Sequence, residues 1–570
     1  MSRPVTISRA RRLLLLGLML SSFGLLAARS AQLQLLDSEF LQGQADARHL
    51  RVVQVPAHRG MITDRNGEPM AISTPVESVW ANPRELVATR NDLARVASLL
   101  GMKVEQLQRL LGQRKDREFV YLRRHMAPDK AQQVLALEIP GIYLQQEYRR
   151  YYPAGEVAAH LIGFTNVDDR GQEGLELAYD KWLSGEPGAK RVVKDGRRHI
   201  VENVENIHSA RPGKPLALSI DRRIQYLAYR ELKAVVQQHQ AHSGSIVVLD
   251  NRTGEVLALA NQPAFNPNNR KQLTAASLRN RAITDVFEPG STMKPFLVAA
   301  ALQSGRYVPG TQIDTSPGVV QVGTYTIRDV HDYGVLDLTG VIRKSSNVAV
   351  SKIALALDPQ DVWHGYSEAG FGVATGSGFP GEVDGYLPDW RRWRDVERAT
   401  LAYGYGVSVT GMQLAQAYSV LANNGYRVPV NLLRREGDNP VKKHAVFSPA
   451  VARTVRTMME EVVKDGGTAP QAAVRGYRVA GKTGTVHKSE AGGYAKDRYM
   501  AIFAGMAPAS DPRLVAVVVV NEPSRDEHFG GQVAGPVFSR VMGGALRLLN
   551  IAPDDESLLQ TRRLPLEGPA

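Results

Sequence analysis

An uncharged, mostly apolar run at residues 13–28, preceded by Arg3, Arg9, Arg11 and Arg12, decides where the rest of this chain has to fold. Positive charge ahead of an apolar segment keeps the first residues in the cytosol and exports the chain beyond the segment. Everything after about residue 30 is therefore expected outside the cytoplasm. As a helix the run would reach about 24 Å, against a hydrocarbon core of roughly 30 Å. That is short for an anchor, and Ala28-Arg29-Ser30 resembles a small-x-small cleavage site, so a cleaved signal peptide stays open as an alternative. Arginines at both ends that reach for the interface repair the mismatch. The expected arrangement is a cytoplasmic tail at 1–12 and a retained transmembrane anchor at 13–30.

With 570 residues the chain exceeds one ordinary core, and two or three folded units are expected. The net charge of +13 invites a nucleic-acid partner, but the basic residues are spread along the chain and no zinc-finger or RNP-like pattern accompanies them. No nucleic acid is expected; attraction to anionic membrane or wall polymers accounts for the charge equally well. The chain has no cysteine, which removes disulfides, thiolate metal sites and a cysteine nucleophile together. There is no HExxH pattern and no ligand-like clustering of histidines, and neither a metal nor any other cofactor is expected.

Residues 31–54 are polar with regularly spaced leucines, as in a helix or extended stalk leaving the membrane. Residues 55–220 mix short strand-like runs with helical stretches, for example 91–111. Ala210-Arg211-Pro212-Gly213-Lys214-Pro215 marks a domain boundary, with the second domain starting near Leu218. That domain opens on a helix at 224–238 and a hairpin of 245–249 with 255–260 around Asp250-Asn251-Arg252-Thr253-Gly254. Toward its end come strands at 498–506 and 514–521, then a helix at 537–549. Strands that begin and end the domain, with helices between, predict a mixed α/β sheet with helices packed on it.

The most informative stretch is Phe287-Glu288-Pro289-Gly290-Ser291-Thr292-Met293-Lys294-Pro295-Phe296. Proline is tolerated only near the start of a helix, so Ser291 is expected at a helix N-terminus. A spacing of three then puts Lys294 on the same face as Ser291. A neutral amine there can take the hydroxyl proton, and the helix terminus favours negative charge developing near the serine. Ser-x-x-Lys alone is weak, because a helix-start serine followed by an exposed lysine is the commoner meaning of the pattern. Two further motifs change the balance: Lys344-Ser345-Ser346-Asn347 and, in a strand-like context, Gly481-Lys482-Thr483-Gly484-Thr485. Ser-x-x-Lys, Ser-x-Asn and Lys-Thr-Gly in that order form the signature of class A β-lactamases and penicillin-binding proteins.

On these residues the chain resembles a class B penicillin-binding protein, and the division-specific (septal) peptidoglycan D,D-transpeptidase is the type it is most similar to. Tyr403-Gly404-Tyr405-Gly406, Phe379-Pro380-Gly381-Glu382 and residues 530–538 extend the likeness through the catalytic domain. Arg59-Gly60-Met61-Ile62-Thr63-Asp64-Arg65-Asn66-Gly67, Arg150-Tyr151-Tyr152-Pro153-Ala154-Gly155 and Gly174-Leu175-Glu176 extend it into the non-catalytic N-terminal domain. The resemblance implies a serine β-lactamase-like antiparallel sheet flanked by helices at 221–555, an elongated α+β pedestal or dimerisation-like domain at 31–220, and a C-terminal tail at 556–570.

It also implies roles. Ser291 is the nucleophile and Lys294 its general base, attacking the bond between two D-alanines of a stem peptide to give an acyl-enzyme. Ser345 relays the proton to the leaving D-alanine, Asn347 binds the substrate amide and holds Lys294, and Lys482 favours the neutral form of Lys294 by like-charge repulsion. Thr483 and Thr485 bind the donor carboxylate, Gly484 admits a substrate backbone, and the N–H groups of Ser291 and Thr485 form the oxyanion hole. The implied partners are stem peptides, β-lactam antibiotics, a membrane glycosyltransferase and division proteins. The implied location is the inner membrane, single-pass, with the catalytic domain in the periplasm.

The motifs do not separate a transpeptidase from a D,D-carboxypeptidase, which differs in whether an amine or water accepts the acyl group; a sensor or scaffold without turnover is a further alternative. A β-lactamase is disfavoured by the extra N-terminal domain. A bifunctional enzyme is disfavoured because residues 37–220 hold no Glu-Asp-x-x-Phe type glycosyltransferase motif.

Overall fold

The structure, a computed structural model, describes residues 8–36, 50–194, 200–271, 273–435, 437, 440–490, 493–524 and 527–555. The start of the expected cytoplasmic tail (1–7), the stalk at 37–49 and the C-terminal tail from 556 lie outside the described residues.

The N-terminal helix is longer than its apolar run. It spans Arg9–Ala31 without one buried residue, and the stretch Arg9–Gln34 is long and apolar enough to cross a membrane. Its 26 residues reach about 39 Å at 1.5 Å per residue. The helix continues past both ends of the apolar run through Arg9, Arg11, Arg12 and Arg29, whose long side chains can reach the interface from there.

Two compact units make up the chain, and they are interleaved in sequence. The first takes residues 1–58, 75–148 and 185–213; the second takes 59–74, 149–184 and 214–570. The expected single boundary at 220 therefore does not separate them.

In the first unit, strands Leu50–Val55, Gly188–Lys194 and Ile200–His208 form an antiparallel sheet. A separate core gathers Val79, Val96, Leu100, Leu107, Val120 and Ile142. The helix expected at 91–111 is two helices, Arg90–Leu100 and Val104–Gln113. Gly101 breaks it by taking a left-handed conformation (φ 65°), a helix-ending device that glycine adopts without a Cβ penalty. Thr89 and Asp92 close the other end with a reciprocal capping box.

The second unit is built on a five-stranded antiparallel sheet in the order Val256–Gln262, Ser243–Asp250, Leu514–Asn521, Gly493–Ala507, Ala480–Glu490. Ser243–Asp250 and Val256–Gln262 are buried along their whole length, as expected of strands covered on both faces. Helices Arg222–Gln238 and Gly530–Leu548 pack against the sheet and each other. Gly411–Ala422, every residue of which is buried, packs against the central strands Ser243–Asp250 and Leu514–Asn521. The helix expected at 537–549 starts seven residues earlier and carries Pro536 inside it. Gly530 allows the early start: a Cβ there would lie 2.3 Å from the Ile502 carbonyl oxygen, so only glycine lets the helix end sit on the sheet.

Segments 59–74 and 149–184, which belong to this unit, are tied to each other by a buried charge cluster. Arg59, 1% exposed, donates from Nε to Glu176 Oε2 at 2.7 Å and from Nη1 to Asp180 Oδ1 at 2.7 Å. Arg150 donates to the other Glu176 oxygen at 2.6 Å. The three sequence stretches that carried the N-terminal resemblance thus supply Arg59, Arg150 and Glu176 to one site. Breaking a buried ion pair from one side strands the partner charge. Glu176→Ala leaves two buried guanidiniums without their shared carboxylate and is expected to lower stability by about 3 to 5 kcal/mol, read from the urea midpoint of this unit.

Candidate active site

Ser291 lies in the 3-10 turn Gly290–Met293, immediately ahead of helix Lys294–Gln303. The expected helix start is therefore displaced by one turn, and Pro295 sits in the first turn of the α-helix, where its missing N–H has no intrahelical partner to lose. Two contacts hold the turn from behind. Gly290 N–H donates to the Gly404 carbonyl at 3.2 Å, and the Tyr418 hydroxyl donates to the Thr292 carbonyl at 2.9 Å. The backbones cross so closely that a Cβ on Gly404 would lie 2.2 Å from the Gly290 oxygen, which is what the Tyr-Gly-Tyr-Gly pattern provides for. Ser291 is half-buried, and its hydroxyl makes no protein hydrogen bond among the described residues.

The edge strand Ala480–Glu490 flanks the turn. A Cβ on Gly484 would lie 3.0 Å from the Pro289 oxygen and 3.2 Å from the Thr292 methyl. The packing of the strand on the nucleophile turn thus gives Gly484 a structural reason of its own. The same packing brings the Ser291 backbone beside residues 484–486.

Lys294 and Lys482 are both 0% exposed. Lys294 Nζ donates to the Ser345 carbonyl at 2.5 Å, to Ser345 Oγ at 3.1 Å and to Asn347 Oδ1 at 2.8 Å. Lys482 Nζ donates to the same Ser345 Oγ at 2.9 Å. Two amines therefore meet on one hydroxyl, whose own hydrogen is left free to move elsewhere. Burial pushes Lys482 down to about 7. Lys294 lies well below the usual lysine range, first because it is buried and second because Lys482 repels its proton. Ser345 itself is left-handed (φ 59°), an uncommon state for a residue with a Cβ and one that gathers at functional sites.

Thr485 Oγ1 accepts the Gly530 N–H at 3.0 Å, and Thr483 Oγ1 shares a hydrogen with Thr468 Oγ1 at 2.9 Å. A hydroxyl that is already accepting has its hydrogen available, so Thr485 is poised to donate to an incoming anion. All eight residues named from the motifs are gathered into one site. Two contributors were not legible: Thr468 stands seventeen residues from Thr485, in a glycine-rich loop with no motif, and Asp329, which binds segment 346–348, belongs to no pattern either. Glu288, part of the Ser291 motif but without an expected role, is bound on one oxygen: Oε1 accepts from Gly406 N–H at 2.8 Å and from the Tyr494 hydroxyl at 3.1 Å, and burial pushes its carboxyl up.

Comparison with known proteins adds three kinds of match. The family model "Penicillin binding protein transpeptidase domain" matches residues 244–543, and "Penicillin-binding Protein dimerisation domain" matches 54–218. Peptidoglycan D,D-transpeptidase FtsI of Escherichia coli is 45% identical over 546 residues, covering 95% of this chain and 92% of that one. A Pseudomonas aeruginosa protein named "Probable peptidoglycan D,D-transpeptidase PbpC" is 44% identical over 529 residues, 93% of each chain. Among solved structures, the apo TP domain of Burkholderia pseudomallei penicillin-binding protein 3 superposes with a TM-score of 0.55 at 46% identity, over 59% of this chain and 97% of its own.

The Lys482 geometry has a measurable cost. The folded chain binds this proton more weakly than the unfolded chain does, so stability falls as pH drops from the ordinary 10.5 to about 7 and stays low below it. Lys482→Met removes the penalty while keeping most of the volume. It is expected to stabilise the folded chain by on the order of a few kcal/mol, more at pH 6 than at pH 9, in paired urea titrations.

Proposed function

The chain belongs to the class B penicillin-binding protein transpeptidases, and on that premise we propose that it is a peptidoglycan D,D-transpeptidase working through an acyl-enzyme on Ser291. The observation that carries the reading is the convergence of two fully buried amines on Ser345 Oγ beside an unengaged serine hydroxyl. A lysine works as a base near neutral pH only if burial and a neighbouring cation keep it from holding its proton, and Lys294 has both.

In the proposed reaction the neutral Lys294 amine takes the Ser291 proton as Oγ attacks the carbonyl between two D-alanines. The N–H groups of Ser291 and Thr485 receive the oxyanion; one such donor is typically worth about 3 to 4 kcal/mol. The proton passes through Ser345 to the leaving D-alanine, with Lys482 supporting the Ser345 hydroxyl. Asn347 orients Lys294 and takes the substrate amide, while Thr483 and Thr485 hold the donor carboxylate. The amine of a second stem peptide then displaces Ser291 and forms the cross-link.

Transfer to an amine rather than to water requires that no carboxylate activate water at the ester. Asp329 receives hydrogen bonds on both oxygens, which favours the transpeptidase over the carboxypeptidase. The same site would accept β-lactams, which present a strained amide to the nucleophile. The helix Arg9–Gln34, with arginines ahead of its apolar run, favours a single span with the enzyme on the periplasmic side. Septal wall synthesis beside a membrane glycosyltransferase and division proteins is the setting we assign, on the motif likeness to the septal type.

Ser291→Ala is expected to abolish covalent labelling by fluorescent penicillin with the fold intact, and Lys294→Ala to reduce it almost as far; labelling that survives the first change rules out the nucleophile. Given a donor thioester and a D-amino acid, aminolysis should exceed hydrolysis by mass spectrometry. Dominant hydrolysis with abundant amine would identify a carboxypeptidase. The full chain should also fractionate with membranes, and N-terminal sequencing of protein from cells should find residues ahead of Ala31 retained.

A further inference from the structure

Nothing in the Ser-x-Asn pattern calls for a carboxylate, yet one is bound to it. Asp329 comes directly after the short strand Tyr325–Arg328. Its Oδ2 accepts from the Ser346 hydroxyl at 2.5 Å, and its Oδ1 accepts the main-chain N–H of Asn347 at 2.5 Å and of Val348 at 3.1 Å. The neighbouring Arg328 carbonyl accepts from Asn347 Nδ2 at 3.2 Å. Those two N–H groups open helix Asn347–Ala356, and the next free one, on Ala349, donates to Ser346 Oγ at 2.9 Å. The first N–H groups of a helix have no internal partner, and the end carries positive potential. Asp329 is a cap delivered to this helix from a separate segment of chain.

The cap sits next to a strained residue. Ser345, one position before Ser346, has a left-handed backbone that costs about 1 to 2 kcal/mol, which its surroundings must offset. It is held between the C-terminal end of Leu338–Lys344 and the capped start of Asn347–Ala356. From there its hydroxyl and the Asn347 amide reach Lys294. The charges acting on Lys294 are two: Lys482 from the edge strand, which drives its proton off, and Asp329, which favours keeping it. Tyr333, four residues beyond Asp329, is the further titratable group that feels this carboxylate.

We propose that Asp329 is a positioning residue for acylation, which holds Ser345 and Asn347 in register with Lys294 and whose negative charge acts on the buried Lys294 amine. The proposal rests on Ser291 and Lys294 being nucleophile and base.

The test is the pH dependence of the penicillin acylation rate, between pH 5 and 10, in the full chain and two variants. Asp329→Asn keeps the shape: its oxygen still accepts from Asn347 and Val348, and its amide can donate to Ser346 Oγ, but the charge is gone. Losing an opposite charge at close range lowers the lysine pKa, so the acidic limb should move to lower pH by about one unit. Asp329→Ala removes charge and hydrogen bonds together; its limb should shift likewise and its plateau rate should fall by about tenfold or more. An Asn variant with the wild-type limb, labelling still through Ser291, overturns the electrostatic role, since a merely structural residue would not move the limb. A folded Ala variant with the wild-type plateau overturns the positioning role. Labelling that persists in Ser291→Ala fails the underlying reading instead, and is thereby distinguished from either result.

Discussion

Two lysine side chains with no exposed surface, converging on one serine hydroxyl, set the terms for the rest of this site. Neither amine is in hydrogen-bond contact with a carboxylate among the described residues, so burial works against the charge on both. An ionised pair would repel at short range in a poorly screened interior. The arrangement is tolerated because the amines can be neutral, and a neutral buried amine is the group that a serine nucleophile requires. Instability and reactivity have one origin here, and the remaining structure holds the amines where solvent would otherwise relieve them.

That holding is done by backbone more than by side chains. The nucleophile turn is fastened to Gly404 behind and to Gly484 in front, while the Gly530 N–H, at the start of a nineteen-residue helix, faces Thr485. Main-chain donors and close backbone packing lose little conformational freedom when a ligand arrives, so the donors at this site are already in place. The five-stranded sheet matters chiefly because it presents Ala480–Glu490 at its edge, the one position from which a strand can meet both the turn and a substrate.

Much of this was legible from the chain alone. Ser291, Lys294, Ser345, Asn347, Lys482 and the threonines could be named because the chemistry constrains residue type and short-range spacing together. The hairpin that opens the second domain and the strands at 498–506 and 514–521 were legible because short buried apolar runs bounded by turn residues have few alternative uses. What failed did so for local or long-range reasons. Gly101 reads as a tolerable helix interior until its left-handed φ is seen, and Pro536 reads as a helix boundary until Gly530 is seen on the sheet. Asp329 and Thr468 act across gaps of chain that carry no periodicity, so no pattern could connect them to the site. The interleaving of the units was hidden for a similar reason: Arg59, Arg150 and Glu176 lie more than a hundred residues apart at the extremes and are joined only in space.

The glycines around the nucleophile also limit how this protein can change. A methyl group added at Gly404 or Gly530 would run into main-chain oxygen, at 2.2 Å and 2.3 Å, and no rotamer can relieve a collision with backbone. Selection by a drug that mimics the substrate therefore finds these positions closed. Escape has to be sought one layer out, among side chains that touch the site without building it, such as Thr468 behind Thr483 or the tyrosine that meets Glu288. The chain is rigid in heredity where it is rigid in space, and its adaptable surface begins where the backbone contacts end.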